Sequence, residues 1–286
     1  MNGFLNINKA ADMTSHDVIN RVRKIFHTKK AGHAGTLDPF ATGVLPVAVG
    51  RATKFIEYLA DCDKSYRAEI LFGVETSTGD ITGEIVNRAE CQLQSINAVD
   101  SVLNSFVGMI EQIPPKYSAI KINGRKAYEL ARKNIEFDLP SRQVTIYKLN
   151  LIDRTENTLI VDVDCSKGTY IRSLAVEIGR RLNNFATLKS LQRTRVGNFF
   201  IDDSITLEEL QNVGESALID VESCLDHIEK FDLPSYRRKA FLTGLSTRID
   251  QNFVDGKIFR VYVDNEFIGV GKIVDGEIKS DKIFSL

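Results

Sequence analysis

"GHAGTLDPFATGVLPVAVG", residues 32–50, joins a glycine-rich turn to an apolar run and contains a single acidic residue, Asp38. No Lys-Ser or Lys-Thr pair follows the glycines, so the stretch is not a phosphate-binding P-loop. Aspartate is a favoured helix N-cap and proline is favoured at the first helical position, so Asp38-Pro39 can be a capped turn. Glycine also lets the backbone approach a ligand closely, and an acid on such a loop can face a substrate. Both interpretations stay open from these residues alone.

The composition is that of a globular chain with one or two domains. It has 286 residues, of which 43% are hydrophobic, and no apolar stretch approaches the roughly 18 residues that span a bilayer. The four cysteines are far apart and form no C-x-x-C, which favours reduced thiols over disulfides or a zinc site. The first residues lack the pattern of a secretory signal. We therefore expect a cytoplasmic protein that does not associate with membranes.

The net charge of -1 hides two basic blocks and an acidic one. Lysine and arginine are concentrated in residues 116–148 and 167–195, and acidic residues in residues 202–232. Basic blocks can bind a phosphate backbone, and Arg132 is one candidate for such a contact. The alternative is that these are solvated faces whose charges cancel across the surface.

Periodicity and turn signals predict an α+β fold. Strands are predicted at residues 4–7, 65–72, 117–122, 144–151 and 159–163, and helices at residues 16–26, 52–59, 96–106, 127–132 and 169–182. Residues 75–83 are predicted to form a polar loop, and Asn123-Gly124 a hairpin turn. The hairpin-like connections favour a mixed, largely antiparallel sheet with flanking helices over a doubly wound one.

The end of the chain predicts a second, smaller unit. Residues 257–284 contain short alternating strands separated by Asp255-Gly256, Asp264-Asn265 and Asp275-Gly276, which is typical of a small β module. We place the boundary near residue 230, with a catalytic domain at residues 1–230 and the β module at residues 231–286.

A single candidate carboxylate limits the chemistry. A glycosidase normally needs two carboxylates. The four histidines show no metal-ligand spacing, and no G-x-S-x-G elbow is present, although a Ser-His-Asp triad stays open. The remaining interpretation is that Asp38 acts without a metal, either as a covalent nucleophile or by electrostatic stabilisation.

Two further stretches contain candidate site residues. In "CSKGTYIRSLAVEIG", residues 165–179, a strand passes through Gly168 into a helix, and Arg172 could pair with a buried carboxylate or lie on the helix surface. In "DKSYRAEI", residues 63–70, Tyr66 could stack on a nucleobase or pack in the core.

Together these stretches carry a family resemblance. "GHAGTLDPFATGVLPVAVGRATKF", "KSYRAEI" followed by "TSTGD", "QIPPKYSAIKINGRKAYELAR", "CSKGTYIRSLAVEIG" and "LQRTRVGNF" occur in this order between residues 32 and 199. The sequence resembles the TruB family, the bacterial tRNA pseudouridine-55 synthases. The resemblance implies an isomerase that flips one uridine out of the tRNA T-arm, breaks its N1–C1′ bond and forms a C5–C1′ bond. It implies no metal, no organic cofactor and no obligate protein partner, and we expect a monomer.

The resemblance also assigns residue roles. Asp38 matches the catalytic aspartate, but attack at C1′, attack at C6 and a glycal path all stay open. Tyr66 matches the tyrosine that stacks on the target base and helps move a proton, and Arg172 matches the arginine paired with the catalytic acid. Four more positions match RNA- or substrate-binding ones: Asp80 joins the charge network, His33 fills the space left by the extruded nucleotide, and Tyr170 and Leu191 line the uracil pocket.

The segments before and after the matching motifs differ from the family pattern. The usual K-P-x-G-x-T-S start is here "KAADMTS", in which Lys9 matches, as an RNA- or substrate-binding candidate, while Ala10 and Asp12 replace proline and glycine. The β module resembles a reduced PUA domain, an RNA-binding unit. Two alternatives remain: a tRNA-folding factor, whose role can also accompany the synthase activity, and a related synthase that acts on another RNA.

Overall fold

The computed structural model describes residues 1–91, 93–118, 120–122, 124–133, 135–249, 251 and 253–284. Its strands are β1 (Gly3–Lys9), β2 (Ala31–His33), β3 (Thr42–Val49), β4 (Lys64–Phe72), β5 (Val74–Thr76), β6 (Ile85–Arg88), β7 (Gly108–Gln112), β8 (Lys121–Ile122), β9 (Arg125–Lys126), β10 (Arg142–Arg154), β11 (Thr158–Cys165), β12 (Ala186–Val196), β13 (Phe199–Phe200), β14 (Lys230–Asp232), β15 (Thr247–Arg248), β16 (Ile258–Val263), β17 (Glu266–Val274) and β18 (Glu277–Ile283). Its α-helices are α1 (Ser15–Ile25), α2 (Ile56–Ala60), α3 (Ile96–Asn104), α4 (Ala127–Ala131), α5 (Ile171–Arg181), α6 (Leu207–Val213), α7 (Val221–Cys224) and α8 (Arg238–Leu242). Short 3₁₀ helices cover Gly50–Phe55, Ile201–Asp203, Gly214–Ala217 and Ser235–Arg237.

The larger sheet carries the candidate site. Its strands lie in the order β1-β3-β12-β4-β11-β10-β7, with β2 paired to β3 and β13 paired to β12. Strands β3 and β12 pair in parallel, and the other neighbours along this path are antiparallel. The predicted mixed, largely antiparallel α+β sheet is therefore confirmed.

Strand β3 is buried on both faces because it lies between two hydrophobic clusters. Leu45, Val47 and Val49 belong to one hydrophobic cluster, and Val44 and Ala48 belong to a second. A strand buried on both faces gives a continuous apolar run instead of an alternating one. The apolar end of the opening motif is thus the strand that joins the two cores.

Several predicted elements differ from the structure. Of the predicted strand at residues 117–122, only β8 is strand among the residues that the structure describes. The predicted helix at residues 52–59 begins as the 3₁₀ segment Gly50–Phe55, and β5 extends into the predicted polar loop at residues 75–83. Strands β8 and β9 do pair as a hairpin, although Asn123 of the predicted turn lies outside the described residues.

The second sheet is formed by strands from the end of the chain, in the order β14-β16-β17-β18-β15. Asp264, Asn265 and Asp275 have positive φ angles in the tight turns that the sequence predicted. The ring of Phe55 lies 6.2 Å from that of Phe267 and 5.9 Å from that of Phe284, so the second sheet shares an aromatic core with the first unit. Among the helices of the described ranges, none has the length and apolar character to cross a membrane.

Candidate active site

The loop between β2 and β3 presents Asp38 to a buried arginine of α5. The Arg172 guanidinium contacts both carboxylate oxygens of Asp38, with Nε–Oδ2 at 2.9 Å and Nη2–Oδ1 at 3.2 Å. This two-point contact fixes the plane of the carboxylate as well as its distance. The side chain of Asp38 stays 34% exposed, whereas that of Arg172 is only 6% exposed. The acid therefore faces the solvent side and the arginine supports it from within.

Arg172 also links Asp38 to a second carboxylate. Its Nη1 lies 3.6 Å from Oδ2 of Asp80, and it donates hydrogen bonds to the carbonyl oxygens of Thr78 at 3.2 Å and Tyr117 at 3.0 Å. The other oxygen of Asp80 accepts from the Thr78 hydroxyl at 2.9 Å and from the Thr82 backbone at 3.0 Å. Arg172 is thus held from several sides, and its position fixes that of Asp38.

Burial and charge act against each other at Asp38. Burial raises the pKa of the Asp38 carboxyl, the Arg172 guanidinium lowers it, and the charge of Asp80 raises it further; the net direction is upward. The carboxylate is therefore a stronger base than a free aspartate while Arg172 fixes its orientation.

The loop geometry resolves the two interpretations of Asp38-Pro39. The backbone N–H of Ala41 donates to the carbonyl of Asp38 at 3.1 Å, which closes a turn, and β3 rather than a helix follows. The Asp38 side chain is therefore not a helix cap, and it remains available for Arg172 and for a substrate.

Two residues of the N-terminal segment anchor this loop. The hydroxyl of Ser15 accepts from the backbone N–H of Leu37 at 2.9 Å and donates to the carbonyl of the same residue at 3.1 Å. The Lys9 ammonium donates to the carbonyl of Pro39 at 3.1 Å and to two carbonyls of its own segment. Lys9 is completely buried, and burial lowers its pKa to about 8. In the free protein the ammonium has no exposed surface and its donors are occupied by backbone, so the predicted role of Lys9 in binding RNA or substrate stays a prediction.

Tyr66 and Leu191 lie below the loop on neighbouring strands. Each is 7% exposed and packs in the hydrophobic cluster of the larger sheet. Burial raises the pKa of Tyr66 to about 12, and the charge of Asp38 contributes to this shift. The structure thus brings Tyr66 into the electrostatic neighbourhood of Asp38.

His33 and Tyr170 lie at the ends of elements that border the loop. Burial lowers the pKa of His33, whose buried Nδ1 has no hydrogen-bond partner within the described ranges. Tyr170 precedes α5, and the side chain of Gln112 binds its backbone N–H at 2.7 Å and its carbonyl at 3.0 Å. The guanidinium of Arg142 lies 4.5 Å from the centre of the Tyr170 ring.

The predicted phosphate-binding residue Arg132 lies at the end of α4 and is exposed.

The glycines of the opening motif are explained by protein contacts. A Cβ on Gly43, which has a φ of +100°, would lie 2.3 Å from the carbonyl oxygen of Arg193 on the parallel neighbour β12. A Cβ on Gly32 would lie 2.7 Å from the side chain of Ile56. Close packing of the chain on itself therefore accounts for the glycine at both positions.

The second basic block, residues 167–195, is less available to RNA than its charge suggests. Arg193 is 1% exposed, Lys189 pairs with Glu69 at 2.9 Å, and Arg180 pairs with Glu75 at 3.3 Å. Sequence reasoning counted Arg193 as a surface charge, whereas the structure buries it. The signal was available in its position on a strand two residues after Leu191, since alternate residues share one face of a strand.

A cavity of about 870 Å³ that is open to solvent on one side adjoins this network. Its wall includes Arg172 and Arg180 of α5, Gly79 of the loop after β5, and Lys116 and Tyr117. Arg172 therefore contacts both Asp38 and this cavity.

The comparisons with known proteins agree with this geometry. Residues 23–171 match the TruB family pseudouridylate synthase (N terminal domain). A tRNA pseudouridine synthase B of Clostridium kluyveri is 43% identical over 290 residues, which cover 99% of this chain and 100% of that protein. A protein of the same name from Bacillus pumilus is 47% identical over 247 residues, covering 82% of this chain and 79% of that protein.

Solved structures show the same fold. A Cbf5-Nop10-Gar1 complex matches with a TM-score of 0.78 and 25% identity, covering 98% of this chain and 84% of the matched chain. An H/ACA RNP bound to a substrate RNA containing 2′-deoxyuridine matches with a TM-score of 0.77 and 23% identity, covering 99% of this chain and 85% of that one. The sheet, the single acidic loop and these matches define a pseudouridine synthase, an isomerase. Within that class, the chain belongs to the TruB family.

Proposed function

We propose that this protein isomerises uridine 55 in the T-arm of tRNA to pseudouridine, as a cytoplasmic monomer without a metal or organic cofactor. The relatives named tRNA pseudouridine synthase B support tRNA as the substrate. The observation that carries the proposal is the two-point contact between Asp38 and the buried Arg172, because it holds one anion at the end of a rigid loop. Base rotation needs an anchored anion and no oxidant.

The reaction is an isomerisation, so the product has the same atoms and the same oxidation state as the substrate. The N1–C1′ bond breaks, the uracil rotates, the C5–C1′ bond forms, C5 loses its proton and N1 gains one. Asp38 is the catalytic group, and attack at C1′, attack at C6 and a glycal path each need its carboxylate next to the ribose or the base. Tyr66 contacts the rotated base and accepts the C5 proton. The target uridine must first leave its stack, at a cost of a few kcal/mol.

RNA contacts are assigned to two surfaces. The exposed Arg132 of α4 is a candidate for phosphate contact, and phosphate contacts position the RNA without reading its sequence. The second sheet is the candidate for the reduced PUA-like module at residues 231–286, with the catalytic domain at residues 1–230. His33, Tyr170 and Leu191 are proposed to line the space around the flipped nucleotide.

Release of tritium from tRNA labelled at uracil C5 tests the proposal. We expect Asp38→Asn to abolish release while tRNA binding persists, because the amide cannot act as the anion. Asp162→Asn is the matched control: Asp162 pairs with Arg67 at 2.7 Å on the sheet surface, and its loss should leave turnover unchanged. Turnover at the wild-type rate in Asp38→Asn would show that the catalytic assignment is wrong.

The same reagents separate the alternatives. If the protein also assists tRNA folding, the inactive Asp38→Asn protein should still refold misfolded tRNA. If it acts on another RNA, mapping pseudouridines after deletion of its gene should show loss of sites outside position 55.

A further inference from the structure

Arg193 is a fully buried cation without a carboxylate partner among the described residues. It lies on β12 with 1% of its surface exposed. Its Nε donates to the carbonyl of Val44 at 2.8 Å and its Nη2 to the carbonyl of Gly35 at 3.1 Å. These carbonyls satisfy part of the guanidinium but carry no net charge. A buried ion that lacks a counter-ion is costly, so its charge needs another explanation.

The groups around Arg193 increase this cost. Its positive charge contributes to a lower pKa of Lys9, Lys64 and His33, which lie on three other strands, β1, β4 and β2. Burial is the largest cause in each case, and it lowers the pKa of Lys64 to about 8. Lys9, Lys64 and Arg193 are all buried, so basic groups are concentrated in the interior below the loop of Asp38.

Tyr66 is the acidic side chain next to Arg193 in the sheet. Tyr66 and Arg193 are directly opposite each other in the β4–β12 register, and cross-strand neighbours on one face are in contact. The guanidinium of Arg193 lowers the pKa of Tyr66, against the larger effect of burial that raises it, and the negative form of Tyr66 in turn favours the charged guanidinium. A guanidinium can only donate, so in a hydrogen bond between the two groups the phenol oxygen accepts and the hydroxyl proton stays free to point elsewhere.

We propose that Arg193 is a positioning residue that orients the hydroxyl of Tyr66 and stabilises its phenolate, the base that removes the C5 proton. This inference rests on the proposed isomerisation. Tyr66 first releases its proton to solvent. After C5 bonds to C1′, the C5–H bond breaks, its electrons restore the C5–C6 double bond, and the proton passes to the phenolate. N1 takes one proton from solvent, so no proton or electron is gained or lost overall.

Three variants test the assignment in single-turnover assays on C5-labelled tRNA. Arg193→Gln removes the charge, Arg193→Lys keeps it, and Arg67→Gln is the matched control on the other face of β4, where Arg67 pairs with Asp162. A nearby opposite charge changes an acid dissociation constant by about 10- to 1000-fold, so we expect Arg193→Gln to slow turnover by a factor in that range. Arg193→Lys should lose less, and Arg67→Gln should retain the wild-type rate. Binding of tRNA should be unchanged in all three variants.

Two readouts distinguish this role from a structural one. Deuterium at C5 should slow Arg193→Gln more than the wild type, because proton removal becomes the limiting step. In a Tyr66→Phe background, Arg193→Gln should cause no further loss, since coupled residues are not additive. An unchanged isotope effect, or an equal loss with and without the Tyr66 hydroxyl, would overturn the inference.

The role of Arg193 can still be tested if the Arg193→Gln variant does not fold. If Arg193→Gln fails to fold, Arg193→Lys with a fluorinated, more acidic tyrosine at position 66 should recover turnover relative to Arg193→Lys alone. No recovery would overturn the role of Arg193. A wild-type protein that releases no tritium would contradict the proposed function itself, whereas wild-type turnover with full activity in Arg193→Gln would contradict this inference alone.

Discussion

Replacement of Arg172 by alanine should destabilise the fold as well as the site. The side chains of Arg172 and Asp80 are 6% and 5% exposed, so the variant leaves a buried carboxylate without its cation. The carbonyls of Thr78 and Tyr117 also lose a donor. Removal of one partner of a buried pair costs about 3–5 kcal/mol. Thr82 still donates to Asp80, so we expect a loss near 3 kcal/mol, at the lower end of this range.

Urea denaturation followed by circular dichroism measures this loss of unfolding free energy. Arg180→Ala is the matched control, because Arg180 lies on the same helix with a 64% exposed side chain and a surface pair with Glu75. Such pairs contribute about 0–1 kcal/mol. Arg172→Ala combined with Asp80→Asn should lose less than the sum of the two single variants, because the uncompensated charge is gone. Equal losses for the two arginines, or strict additivity in the double variant, would refute the reasoning.

Three further outcomes follow from the same structure. On the proposed mechanism the Asp38 carboxylate is the reactive form, and its pKa is raised, so the single-turnover rate at saturating tRNA should fall on acidification already above pH 3.9, about the pKa of a free aspartate. Gly43→Ala should lower the melting temperature more than Gly108→Ala, because both have a φ near +100° but only Gly43 meets a neighbouring backbone. Arg132→Ala should weaken tRNA binding and lower the slope of its salt dependence by about 1.

The accuracy of the fold prediction depended on how clearly each strand alternates. Strands β4, β10 and β11 were predicted because hydrophobic and polar residues alternate along them. Strand β3 was not, since both faces are buried and the run "VLPVAV" has no period of two. Strand β12 was not, because "LKSLQRTRV" reads as a charged surface, although β12 lies between β3 and β4 in the sheet.

The site shows a different limit of the sequence. Asp38, Asp80 and Arg172 lie on three separate elements, so no local spacing predicts that one guanidinium contacts both carboxylates. Their roles were predicted from the family resemblance. The geometry adds that Arg172 contacts both Asp38 and Asp80. Lys9 and Arg193 illustrate the opposite case, because a charged residue is normally exposed and only the packing shows that both are buried.

The buried basic residues explain how one loop can hold an aspartate in place. Arg193 binds the carbonyl of Gly35, Ser15 binds Leu37 and Lys9 binds Pro39, so three remote elements hold the backbone on both sides of Asp38. Each contact ends on a backbone atom, which fixes the path of the loop whatever side chains it carries. A loop held in this way is pre-organised, so the position of the Asp38 carboxylate is already fixed in the free protein. On the proposed mechanism, the movement that brings the uridine to Asp38 occurs in the RNA, and the cost of flipping falls on the substrate.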